Sequence, residues 1–240
     1  MSYLKYITDD NLIDIVKDTL NAGIIKKKEV EKTFTKNVID PFAAILEASA
    51  FNLDHKTWKD SELARQCQKT LQNYIGNMHQ AILGKVKNWE DLGVGNVIDL
   101  KNKDKKIIAE VKNKHNTVTG GKLADMYYSL DRLVTYKNNN YYGYTIYFVN
   151  IVPKKPNRYN APFTPSDKEK GAKCPINEKI RIIDGASFFE LVTGEQNALA
   201  NFYNILPKVI EDIFNKESHI KFQIPDKEKF ADYFHQAYSK

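Results

Sequence analysis

The sequence predicts one α/β domain built on a mixed central sheet flanked by helices, with helical regions at both ends. Three observations predict it. Helical apolar spacing dominates residues 9–87 and returns after residue 185, short β-branched and aromatic runs fill the middle, and a helix at 121–137 separates the strand candidates. The 240 residues suffice for a sizeable core, and 42% hydrophobic with 28% charged residues is an ordinary soluble globular composition. A single domain over 1–240 divides into an N-terminal helical region at 1–60, a core at 61–193 and C-terminal helices at 194–240.

Leu12, Ile13, Val16 and Leu20 give residues 9–22 a helical face, closed by Gly23. Residues 27–51 form a second helical region that restarts at Pro41, where Asp40-Pro41 reads as a cap followed by a first-turn proline. The strongest helix spans 60–87, capped by Asp60 or Ser61, with Leu63, Leu71, Tyr74, Ile75, Ile82 and Leu83 as its apolar stripe. Residues 96–101 and 106–113 are strands around a turn at 102–105. The helix at 121–137 shows Met126, Leu130, Leu133 and Val134 on one face. Residues 141–152, aromatic and β-branched, form a buried strand, and 180–184 another. Between them, 153–179 is a polar, proline-bearing loop long enough to be functional or disordered. Helices follow at about 186–193, 195–217 and 226–239.

The composition also excludes classes. No run approaches 18 apolar residues, so no membrane-spanning helix is expected, and the N-terminus has no signal-peptide pattern. Cys67 and Cys174 are too few for a disulfide framework or a four-ligand zinc site, and suit a reducing cytoplasm. A net charge of +6 mildly favours an anionic partner. The stretch 153–181 holds eight basic against three acidic residues, which accounts for nearly all of that excess. Its arginines are scarce and therefore informative, because a guanidinium forks onto guanine or phosphate as lysine does not.

The chemistry sits in Asp99 and Glu110-Val111-Lys112. Alternation on a strand puts Glu110 and Lys112 on one face and Ile107, Ala109 and Val111 on the other, into the core. A hairpin with the preceding strand brings Asp99 opposite residues 108–110. Paired carboxylates repel, and a divalent cation between them relieves that repulsion. Oxygen ligands with few other contributors suit magnesium, which retains waters and recruits a phosphate. A neighbouring lysine orients water or stabilises the transition state, so the set is suited to metal-assisted phosphodiester hydrolysis. The bland alternative is a solvated charged strand edge.

Asp99 with Glu110-Val-Lys112 resembles the PD-(D/E)XK nuclease motif. Further segments resemble the family of type II restriction endonucleases that cut GGNCC-type sites: 72–84, 108–117, 153–159, 162–167 and 181–185. This resemblance, over about 35–215, implies a restriction-endonuclease-like fold and Mg²⁺-dependent cleavage of double-stranded DNA at a short GC-rich palindrome, leaving 5′-phosphate ends. It implies a cytoplasmic bacterial homodimer paired with a DNA methyltransferase. It also implies catalytic Asp99, Glu110 and Lys112, with the cation held by Asp99, Glu110 and the Val111 carbonyl, and Gln80 through a water.

Two departures stand out. Ile98 replaces the motif's proline, and the preceding helix offers Gln72, His79 and Gln80 where many such nucleases carry an extra acid. A core or cap role for Gln80 stays open. DNA contacts are expected from Lys114, His115 and Asn116 after the catalytic strand, with a solvated turn as the alternative. They are also expected from Lys154, Lys155, Arg158, Tyr159, Ser166 and Arg181 in the basic loop, although Arg181 has the alternative of an ion pair with Asp184 or Glu190. His55, His219 and His235 are assigned no chemistry. Two other readings remain: a repair or junction nuclease on the same fold, and a non-catalytic DNA-binding module.

Overall fold

The computed structural model describes residues 2–36, 38–93, 95–218 and 223–238. Three helices come first: α1 (Asp9–Thr33), α2 (Pro41–Ala50) and α3 (His55–Gly84). A sheet region follows with β1 (Glu90–Asp91), β2 (Leu100–Asn102) and β3 (Ile107–Lys114), then α4 (Leu123–Thr135) and β4 (Thr145–Val152). The loop after β4 contains β5 (Asn160–Pro162), β6 (Ser166–Asp167) and β7 (Ala172–Lys173), and leads to β8 (Ile180–Asp184). The chain closes with α5 (Gly185–Thr193), α6 (Ala198–Ser218) and α7 (Ala231–Tyr238).

The six-stranded sheet has the order β1-β2-β3-β4-β8-β5. β2 runs antiparallel to both β1 and β3; β3, β4 and β8 run parallel, and β5 returns antiparallel along β8. β6 and β7 form a separate small hairpin. The mixed sheet with helical flanks is the architecture the sequence predicts.

Helices cover both faces, so both faces of β3 are buried. Ala109 and Val111 join a core that gathers Leu12, Ile82, Leu83, Phe188, Phe189 and Phe202 from α1, α3, α5 and α6. Ile108 lies in a second core under α4, with Leu130, Ile146 and Phe148. The expected split of β3 into a core face and an open face is therefore corrected: Glu110 shares its face with buried Ile108.

Several boundaries also change. Gly23 does not end α1, which runs ten residues further because the glycine sits where α1 crosses α3; a Cβ there would lie 3.3 Å from Leu71. α3 starts earlier than expected. Its cap is Asp54, which accepts a hydrogen bond from the Thr57 amide at 2.7 Å, not Asp60 or Ser61. Asp40 caps α2 as expected, accepting from the amides of Phe42 and Ala43. The strand expected at 96–101 contracts to β2, and β1, too short to carry a periodic pattern, was not foreseen. β4 begins four residues late because the chain first turns at Gly143 (φ 79°). The expected final helix opens with a 3₁₀ turn at Lys227–Phe230, and residue 239 lies outside the described residues.

The sharpest packing constraint is at the β8–α5 junction. Asp184 is buried and caps α5 through the Ser187 amide at 2.9 Å. The next residue, Gly185, approaches β4 so closely that a Cβ would lie 2.4 Å from the Ile151 carbonyl oxygen. That obstacle is sheet backbone, which cannot move aside. Gly185→Ala should therefore lower stability by about 3 kcal/mol or abolish folding, as read by urea denaturation; a midpoint within experimental error of wild type would refute the close approach.

Candidate active site at the end of the central hairpin

The β2–β3 hairpin and α3 together bring the acidic residues to one place. The Asp99 amide donates to the Ala109 carbonyl at 2.9 Å, which fixes Asp99 opposite β3. The Asp99 carboxylate in turn accepts a hydrogen bond from the Val111 amide at 2.7 Å. Glu110 is buried, and its Oε1 accepts a hydrogen bond from the Lys112 ammonium. Its Oε2 is buried without a hydrogen-bond partner in the protein. Asp99, Glu110 and Lys112 thus converge as the hairpin argument expects.

The electrostatics follow from that convergence. Burial pushes the Glu110 carboxyl up to about 7, and the neighbouring Asp99 charge adds to the effect against the opposing Lys112. Burial raises Asp99 too, while its hydrogen bond from Val111 and the Lys112 charge pull the other way. A buried acid with one oxygen unpartnered, pressed against another acid, is a poor arrangement for a chain alone, and a good one for holding a cation. Among the described residues no cluster of three or more His, Cys, Asp or Glu side chains could hold a metal.

Two adjoining clefts open on this point. One, of about 520 Å³, is lined by Asp99, Lys112 and Gln80 with Lys114, Asn116 and Lys69. The other, of about 590 Å³, is lined by Glu110 and Lys112 with Thr119, Lys122 and Asp125. Together they put the acids at the floor of an open, lysine-rimmed trough.

The remaining expected residues separate into groups. Lys114 and Asn116 line the trough. His115 does not, and its buried Nδ1 has no hydrogen-bond partner. Gln80 reaches the cleft but donates to Asp91 at 2.6 Å. His79 packs edge-on between Phe189 and Phe202, and burial lowers it to about 4, which makes it a core residue. Lys154, Lys155 and Ser166 are exposed. Arg158 donates to Ser187 at 2.8 Å and Glu190 at 2.6 Å, while Tyr159 receives the Asn150 amide at 3.2 Å. Arg181 pairs with Glu178 at 2.8 Å and Asn160 at 2.6 Å, rather than with Asp184 or Glu190. His55 and His235 stay outside the trough, and His219 lies outside the described residues.

Sequence reasoning missed Asp91 and Asn150. Asp91, on the short β1, is a third acid whose charge reaches Asp99. Asn150 is buried on β4 in register with Lys112, and its Oδ1 is also unpartnered. An asparagine inside the apolar run Thr145–Val152 was the available signal for it.

The acid pair has a measurable cost. With a folded-state value near 7 against 4.5 in the unfolded chain, Glu110 binds more protons folded than unfolded between those values. Stability should therefore fall as pH rises through that window, with the full cost present above it. Glu110→Gln should raise stability at pH 8 in chelator by on the order of 1–3 kcal/mol, read by calorimetric melting. A lower melting temperature for the variant would show that Glu110 is not under that strain.

Comparison with known proteins follows the same direction. The family model described as Eco47II restriction endonuclease matches residues 4–215. The chain is 54% identical over 239 residues to the type II restriction enzyme Eco47II of Escherichia coli, covering 99% of this chain and 100% of that one. It is 29% identical over 215 residues to the type II restriction enzyme Sau96I of Staphylococcus aureus, covering 88% and 80% respectively. No solved structure matches.

Proposed function

The chain belongs to the Eco47II restriction endonuclease family, and from that footing we propose which of its residues cut DNA and how. The protein is a type II restriction enzyme, a site-specific deoxyribonuclease acting on double-stranded DNA. Among the described residues no helix is long and apolar enough to cross a membrane. The setting proposed is the bacterial cytoplasm.

Restriction endonucleases generally use divalent metal ions. The ion proposed here is Mg²⁺, held by Asp99, Glu110 and the Val111 backbone carbonyl. The observation that carries this reading is the buried Glu110 Oε2, left without a protein partner beside a second acid. Two acids and a carbonyl suit a hard cation that fills its other positions with water and substrate oxygen. When bound, the ion supplies Lewis acidity toward the scissile phosphate.

The protein's own groups do the rest. Lys112, anchored by Glu110, orients the attacking water and counters charge on the pentavalent phosphorus. The Val111 amide fixes the Asp99 carboxylate so that no reorganisation is needed on binding. Attack on phosphorus with loss of the 3′ oxygen leaves a 5′-phosphate and a 3′-hydroxyl.

Lys114 and Asn116 on the trough rim bind flanking phosphates, with His115 bracing their turn, and Lys154, Lys155 and Ser166 extend that contact along the duplex. Arg158 and Arg181 read guanine edges by exchanging Glu190 and Glu178 for base acceptors, and Tyr159 holds their loop against Asn150. The target is a GC-rich palindrome of GGNCC type. A palindrome read by one small chain is matched by a two-fold homodimer, one active site per strand. A cognate methyltransferase protects host DNA.

Incubation of unmethylated DNA with the protein and Mg²⁺ should give a discrete fragment ladder, and sequenced ends should carry 5′-phosphates within a GGNCC-like site. Lys112→Ala should cut at least about 10³-fold more slowly while binding the same DNA within a few-fold. A smear, preference for branched DNA, or undiminished cleavage by the variant would contradict the proposal.

A further inference from the structure

Helix α2 is built inside out. Its small residues, Ala43 and Ala44, line a cleft against α3 together with Trp58, Glu62 and Arg65, and Glu47 accepts the Trp58 indole N–H at 3.1 Å. Its large residues face away: Phe42 is 77% exposed, Ile45 and Leu46 67%, with Val38 at 99% and Phe51 at 68% beside them. Phe42, Ile45 and Leu46 have the three- and four-residue spacing of one helical face, and no residue of α2 is buried. A continuous apolar surface of this kind on a charged protein marks an interaction site.

We infer that this outer face of α2 is the dimerisation surface, and that its occupant is the same face of a second copy of the chain. Two arguments select that occupant. The first is charge. From Val38 to Asp54 the charged residues are Asp40, Glu47 and Asp54, all acidic, so the patch repels DNA and anionic lipid while an otherwise basic molecule surrounds it. The second is area. At roughly 150–200 Å² for each large apolar side chain when fully exposed, the five residues offer on the order of 600–750 Å². That approaches the ~800 Å² that each partner contributes to a standard interface. An isologous contact needs one self-complementary patch, and the apolar stripe of Phe42, Ile45 and Leu46 against its own two-fold mate is the simplest form of one.

This inference rests on the homodimer proposed above and names where it forms. It separates from the nuclease proposal because it is read by oligomeric state in the absence of DNA. Wild type should sediment as a dimer at micromolar concentration. Phe42→Asp with Leu46→Asp should weaken the dimer roughly 100-fold or more while leaving the far-UV circular-dichroism spectrum unchanged, since both side chains are exposed. A double variant that dimerises as tightly as wild type, or a wild type that stays monomeric at tens of micromolar, overturns the inference. So does a monomeric wild type that binds lipid vesicles instead. Should the double variant fail to fold, hydrogen exchange on wild type decides. The amides of residues 42–51 should slow as concentration rises through the dimer's dissociation constant, and exchange independent of concentration overturns the inference.

Discussion

Two carboxyl groups held against each other at the end of a hairpin constrain the rest of this molecule. Asp99 and Glu110 come from neighbouring strands of one hairpin, and a hydrogen bond from the Val111 amide to Asp99 keeps them from parting. A carboxylate pair on a flexible loop would swing into solvent. Here it cannot, because β3 is covered on both faces, by α3 and α5 on one side and α4 on the other. The sheet thus stores repulsion that only a cation, a proton or Lys112 relieves. Lys112 relieves it in part, from the end of the strand where the trough opens. Strain of this sort at a functional centre is balanced elsewhere, and the two hydrophobic cores beneath the sheet provide the stability that tolerates it.

Much of this was legible in the sequence because the hairpin obeys short-range rules. Alternation along β3 puts Glu110 and Lys112 together, and a short turn pairs Leu100 with Ala109 and so carries Asp99, one residue earlier, to Glu110. Helices α2, α4 and α5 were also recoverable, since caps and apolar spacing are local signals. What could not be read is what depends on contacts distant in sequence. Gly23 looks like a stop signal and is instead a point of helix–helix contact with Leu71. Asp91 carries no pattern of its own; α3 and β2 put it beside the site. His79 looked like a stand-in for a missing acid, but two phenylalanines from later helices enclose it. The arginines were singled out for their scarcity. Asp184 or Glu190 was named for Arg181, which instead pairs with the nearer Glu178, and Arg158 was given no partner because its Glu190 lies 32 residues away.

The N-terminal arm and the catalytic hairpin meet along α3. One end of that helix supports α2 and its exposed apolar face, and the other lines the cleft beside Asp99 with Gly76, Asn77 and Gln80. At 1.5 Å per residue its 30 residues span about 45 Å. A rigid rod of that length ties the surface proposed to pair two copies to the site proposed to cut one strand.

Calorimetric melting against Mg²⁺ concentration at pH 8 without DNA tests most directly whether Asp99 and Glu110 share one cation. The melting temperature of wild type should climb with Mg²⁺ and saturate, as linkage to a folded-state site requires, while Asp99→Asn and Glu110→Gln should show little or no response. An equal rise in those variants, or no rise in wild type at millimolar Mg²⁺, would contradict the shared-cation site.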